Sequence, residues 1–154
     1  MREILFKGKR IDNGEWVEGY YYKISETTYC FKEDYERKPV PEHHYILQER
    51  MTDWGLPNQM VQIEIDPKTL CQFTGMTDKN GVRIWKNDIV EAWSQGSRAI
   101  GTVKQRVDGL WIMSPAWQNH EFWELKPNSN GETTVEVLVN AFDNPELLQE
   151  ESDE

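Results

Sequence analysis

The side chains able to do chemistry are few and poorly grouped. His43 and His44 follow Glu42, and with Cys30 and the distant His120 they are the types a zinc-like ion would take. Adjacent residues on a strand point to opposite faces, so one ion rarely receives both imidazoles. No Cys-x-x-Cys, His-x-x-x-His or Asp-x-Asp-x-Asp pattern occurs. These histidines are therefore read as ordinary loop and strand residues, and no metal ligand is assigned. A nucleophilic Cys30 or Cys71 would need a base and an orienting partner. Cys71 lies beside Leu70 and Phe73, which favours a buried, inert thiol. With 27 Asp and Glu in the chain, any chosen carboxylate pair carries no information. Neither G-x-G-x-x-G nor G-x-x-x-x-G-K is present. No catalytic residue and no cofactor is assigned, and the chain is read as a non-enzyme.

The aromatic residues are the more informative set. Trp93, Trp111, Trp117 and Trp123, with Phe122, crowd the C-terminal half. They either fill a core poor in Leu or offer a surface to a peptide or to nucleic-acid bases. Trp117, between Pro115-Ala116 and Gln118-Asn119, lies in an irregular stretch and is expected to be the most exposed. The candidate partner-binding residues are therefore Trp117, Trp93 and Trp123. A basic stripe to accompany base stacking would use Arg83, Lys86, Arg98, Lys104 and Arg106, diluted by the acids around it.

Charge bears on the same question. The formal net charge is −10, and the terminal run Glu146, Glu150, Glu151, Asp153 and Glu154 leaves about −5 for the rest when set aside. Such a mean field repels phosphate backbones, which disfavours a nucleic-acid partner. An acidic mimic of DNA is a third reading, but the negative residues show no spacing that imitates a phosphate ladder. The favoured partner is a protein or a second copy of the chain.

The scaffold that must position these groups is legible in turns and alternation. Apolar content is 38% and charged content 29%, with 12% aromatics to supply buried area. No apolar run reaches the ~20 residues needed to span a bilayer, and charges interrupt Met1–Arg10, so no signal peptide is read. Two cysteines make no disulfide framework, which fits a reducing cytosol. Asn13-Gly14, Asn80-Gly81 and Asp108-Gly109 mark hairpins. Val61, Ile63 and Ile65 alternate with Gln62 and Glu64, the clearest period-two pattern. Pro39 and Pro41 make residues 32–43 a loop, expected to be mobile. Asn144-Pro145-Glu146 is the one convincing helix start. Turns every ~8–12 residues indicate a small all-β sandwich or barrel.

The block Thr69–Val90, with Gln72-Phe-Thr-Gly-Met-Thr-Asp-Lys-Asn-Gly81 and Lys86-Asn-Asp-Ile-Val90, resembles the signature of the YopX family of bacteriophage and prophage proteins. Phe6-Lys-Gly-Lys-Arg10 followed by Trp16-Val-Glu-Gly19 resembles that family's opening. Val139-Asn-Ala-Phe-Asp-Asn-Pro-Glu-Leu-Leu148 resembles its ending. Asn87 stands where the family usually has Gly, which implies that Asn adopts the positive-φ turn position. The resemblance implies an SH3-like barrel in the C-terminal part and a phage or prophage origin, with action in the bacterial host cytoplasm. It implies no activity.

Together these readings give a mainly β, β-rich α+β chain in three parts. Residues 1–70 are an N-terminal β-hairpin lobe, 71–143 an SH3-like barrel, and 144–154 a short C-terminal helix with an acidic tail. The expected role is a non-enzymatic protein-interaction module, with a nucleic-acid-associated phage protein as the alternative.

Overall fold

The computed structural model describes residues 3–94, 97–115, 123–127, 129–130 and 133–144. The chain is mainly β and divides into two compact units, one spanning Leu5–Leu70 and the other Cys71 onward with the first four residues.

In the Leu5–Leu70 unit, β1 (Phe6–Lys9), β2 (Trp16–Ser25), β3 (Glu42–Arg50) and β4 (Gln59–Glu64) pair antiparallel in the order β4-β3-β2-β1. The Asn13-Gly14 turn joins β1 to β2: Gly14 sits at φ 73°, and the Asn13 side chain accepts the Glu15 N–H at 2.9 Å. Directly opposite residues share a face, so the register Tyr22↔Tyr45↔Glu64 and Tyr21↔Ile46↔Ile63 separates two surfaces. One surface is the core, with Val17, Ile46, Ile63 and Ile65 buried and Phe6, Tyr21, Val61 and Leu70 packed against them. Each fully buried aliphatic here contributes roughly 1.5–3 kcal/mol. The alternation of Val61, Ile63 and Ile65 thus has the predicted consequence. Gly19 is required by the close approach of β2 and β3, because a Cβ there would lie 2.1 Å from the Leu47 carbonyl oxygen.

Residues 32–43, expected as a loop, contain a helix instead, α1 (Lys32–Arg37). Glu33 and Asp34 sit in its first turn and Arg37 in its last, which complements the helix dipole. The two prolines that suggested a loop act only as its stop, leaving one and a half turns before Pro39. No residue of α1 is buried, so no amphipathic stripe announced it.

In the second unit, β5 (Cys71–Thr77) and β6 (Arg83–Trp85) form the central hairpin. Five further strands, β7 (Asp88–Ser94), β8 (Ser97–Gln105), β9 (Trp111–Pro115), β10 (Trp123–Glu124) and β11 (Glu136–Asn140), make an antiparallel sheet in the order β10-β9-β8-β7-β11. Its core contains Met76, Ile84, Val90, Val103, Trp111 and Met113. The expected closed barrel is not seen among the described residues. The two-residue β10 and the five-residue β11 are the sheet edges, with no ladder joining them among the described residues. The expected C-terminal helix lies, from Pro145 on, outside the described residues.

Candidate functional site

The residues of the family-like signature turn out to be structural. Asp78 is 1% exposed, and its Oδ1 accepts the N–H groups of Asn80 and Val82, each at 2.8 Å. Its Oδ2 accepts the Val137 N–H at 3.0 Å, so one carboxylate shapes a turn and pins the start of β11. Gly81 takes φ 82°, and the Gly81 N–H reaches the Asp78 carbonyl at 3.0 Å, giving a turn with its last residue left-handed. Asn87 adopts φ 71°, the position expected of it. Asp88 accepts the Trp85 N–H at 2.8 Å and the Asn140 side-chain amide at 3.2 Å. Saturated with structural donors, these carboxylates serve the fold.

The histidines behave as strand geometry requires. His44 points to the core face, where its Nδ1 lies 2.7 Å from the Tyr21 hydroxyl. His43 points outward, with Nδ1 2.7 Å from Glu64 Oε2 and Nε2 3.5 Å from Glu26 Oε2. The Glu64 contact, then the Glu26 contact, raises the His43 pKa above its ordinary 6.5. The carboxylates approach opposite ring nitrogens and so do not converge on a point where an ion would sit. Among the described residues no three His, Cys, Asp or Glu side chains form a metal-holding group, and His120 lies outside them. Cys71 is buried and Cys30 exposed, and the two are not joined in a disulfide.

The sequence-derived tryptophans divide. Trp111 is 6% exposed and belongs to the core, as does Trp85 at 4%. Trp93 lies on β7 opposite Arg98, and Trp123 on β10 opposite Met113. Their side chains, and all of Trp117, lie outside the described residues, as do the Arg98 side chain and Phe122. Of the basic stripe, Arg106 is tied to Asp108 through both its Nε, at 3.1 Å, and its terminal nitrogen. The same contact, with the Leu110 N–H, holds the Asp108 carboxyl down to about 2. Arg83 lies over the Phe73 ring at 5.4 Å. Lys86 and Lys104 are exposed.

A site the sequence reading missed lies on the β3–β4 hairpin. Its loop exposes Met51 by 81%, Trp54 by 101% and Leu56 by 59%, and Met60 at the start of β4 by 52%. The loop is built by its own bonds. The Leu56 N–H donates to the Asp53 carbonyl at 3.0 Å, the Thr52 hydroxyl to the Pro57 carbonyl at 2.8 Å, and the Asn58 amide to Glu49 at 2.6 Å. Three large apolar side chains are thus presented on an ordered tip. The surface behind it is the outer face of the sheet, where Tyr22 stacks on Tyr45 at 5.3 Å and Tyr20 is exposed. The Tyr22 hydroxyl donates to Gln62. On that face too, Lys7 and Lys9 lie 4.6 and 5.3 Å from the Trp16 ring centroid. A Trp-Gly-Leu-Pro turn between two strands was the available signal. Apolar side chains exposed as a group are less ordinary than ones scattered singly over a surface.

No helix among the described residues is long and apolar enough to cross a membrane. The family model described as YopX protein matches residues 5–149. Among solved structures, a crystal structure of protein EF1440 from Enterococcus faecalis is similar at 17% identity, covering 96% of this chain and 99% of that one with a TM-score of 0.44. No curated protein matches the chain.

Proposed function

The chain belongs to the YopX family, and on that premise we propose that it is a non-enzymatic protein-interaction module of a bacteriophage or prophage, working in the host cytoplasm. The observation that carries this reading is the ordered β3–β4 tip with Met51, Trp54 and Leu56 in solvent. Trp is the residue most enriched at energetic centres of interfaces, and a loop already held by its own hydrogen bonds loses little entropy on docking. The strand order of the five-stranded sheet, a meander from β7 to β10 with β11 returning to pair with β7, supports an SH3-like arrangement there. Trp93, Trp117 and Trp123, the candidates drawn from the sequence, remain a second possibility to test. The alternative, a nucleic-acid-associated protein, draws on the basic residues, of which Arg106 is already paired with Asp108.

The test is affinity capture from host lysate, with and without nuclease, comparing wild type with Trp54→Ala and Trp117→Ala. Trp54 makes no contact that the fold depends on, so Trp54→Ala should leave the unfolding midpoint unchanged. It should weaken a specific, nuclease-resistant partner about 30-fold or more, the loss typical of a central Trp. Capture that vanishes with nuclease would select the nucleic-acid reading. Full retention by Trp54→Ala with loss by Trp117→Ala would move the site to the second unit.

A further inference from the structure

The outer edge of the β3–β4 hairpin carries hydrogen-bonding groups left without a partner among the described residues. The Ile65 N–H donates to the His44 carbonyl at 2.9 Å. In the antiparallel register this turns Ile63, Val61 and Gln59 toward β3, and the backbone groups of Glu64, Gln62 and Met60 outward. β4 lies at the end of its sheet. One outward group is taken, because the Ile11 N–H donates to the Glu64 carbonyl at 3.1 Å. With the bridge of Arg10 to Ile65, this closes one end of the edge and leaves Met60 and Gln62 as open ladder.

A cleft of about 290 Å³ runs beside this ladder, with Ile11, Val61 and Ile63 as its apolar lining and Arg10, Arg50 and Glu64 among its polar residues. Most of its charge is already answered. Asp12 holds Arg10 at 2.7 Å, and His43 holds Glu64 at 2.7 Å. Arg50 has no ion pair or side-chain hydrogen bond among the described residues. An open ladder, an apolar lining and an unanswered guanidinium therefore lie together.

We propose that this edge is a strand-addition site for a short, extended, acidic segment of a partner protein. The segment's main chain pairs with Met60 and Gln62, an alternate apolar side chain covers Val61 and Ile63, and a carboxylate engages Arg50. The proposal deepens the protein-interaction reading and rests on it. A second copy of this chain fits less well. Antiparallel pairing of β4 with itself about Val61 would match Met60 with Gln62, but it sets the second copy's Ile63 opposite Gln59, beside Arg50, and offers the guanidinium no carboxylate. The net charge of −10 opposes an acidic ligand at long range. That field is screened beyond ~8–10 Å at physiological ionic strength, which leaves the Arg50 contact to select.

The test titrates the isotope-labelled full chain with two pools of blocked seven-residue peptides that place an apolar and a polar residue two positions apart, on the one strand face that Val61, Ile63 and Arg50 share. One pool carries Asp or Glu at the polar positions, the other Lys. The acidic pool should shift the Met60 and Gln62 backbone amides and the Arg50 side-chain N–H, with a preference of about tenfold over the Lys pool, the size of one charge-assisted pair. Gln62→Pro removes an outward N–H and no bond to β3, and should abolish the response. Arg50→Glu, a surface change that leaves the fold intact, should reverse the preference. Equal response to both pools, silence at Met60 and Gln62, or shifts there on concentrating the protein alone would overturn the proposal. A partner lost by Trp54→Ala but kept by Gln62→Pro would also overturn it, while leaving the interaction reading standing.

Discussion

Replacing Asp78 by Ala should be among the most damaging single changes in the second unit. The carboxylate is 1% exposed and accepts three backbone N–H groups, from Asn80, Val82 and Val137. Asn80 and Val82 are exposed, so water recovers part of what they lose, whereas Val137 is half-buried against the core. Taking about 1 kcal/mol for each of the first two bonds and 1–3 kcal/mol for the third gives roughly 3–5 kcal/mol. For a chain of this size that lowers the midpoint of thermal unfolding by about 10 °C. Asp78→Asn keeps an oxygen for Asn80 and Val82 but sets an amide NH₂ against the Val137 N–H, so it should fall between the two, near 2 kcal/mol. Urea unfolding followed by tryptophan fluorescence measures both, and amide exchange at Val137 reports the third bond. If Asp78→Ala unfolds within about 2 °C of wild type, or if Asn and Ala are equally harmful, then the carboxylate does not pin β11 and the reasoning fails.

The remaining perturbations test other parts of the molecule. The raised pKa of His43 means that its pairing with Glu64 and Glu26 stabilises the fold fully below the unfolded value of 6.5 and that this contribution is lost as pH rises through the folded value. The urea midpoint should therefore decline with rising pH over that window in wild type and less steeply in His43→Asn. An imidazole titrating below 6.5 by NMR would refute it. Gly19→Ala should cost about 3 kcal/mol, since its Cβ would meet the Leu47 carbonyl oxygen at 2.1 Å and force β2 from β3. A soluble variant of wild-type midpoint would contradict that close approach.

The parts of this protein that depend on a few neighbouring residues were legible from the chain alone. Gly14, Gly81 and Gly109 all take positive φ at the turns their Asn-Gly or Asp-Gly dipeptides announced, because a turn's geometry is decided within four residues. The alternation at Val61, Ile63 and Ile65 likewise fixed which face of β4 is buried, and strand geometry placed His43 and His44 on opposite faces. The short helix α1 escaped because no residue in it is buried, and hydrophobic periodicity reports only elements that pack. Which tryptophan faces water escaped for a different reason. Trp54 and Trp85 are the same side chain in sequence terms, yet one is fully exposed and the other 4% exposed. Exposure depends on which distant strands arrive above a residue, and no local pattern encodes that. The open ladder at Met60 and Gln62 is likewise a property of strand order: the edge exists because β4 ends its sheet, which is set by long-range pairing.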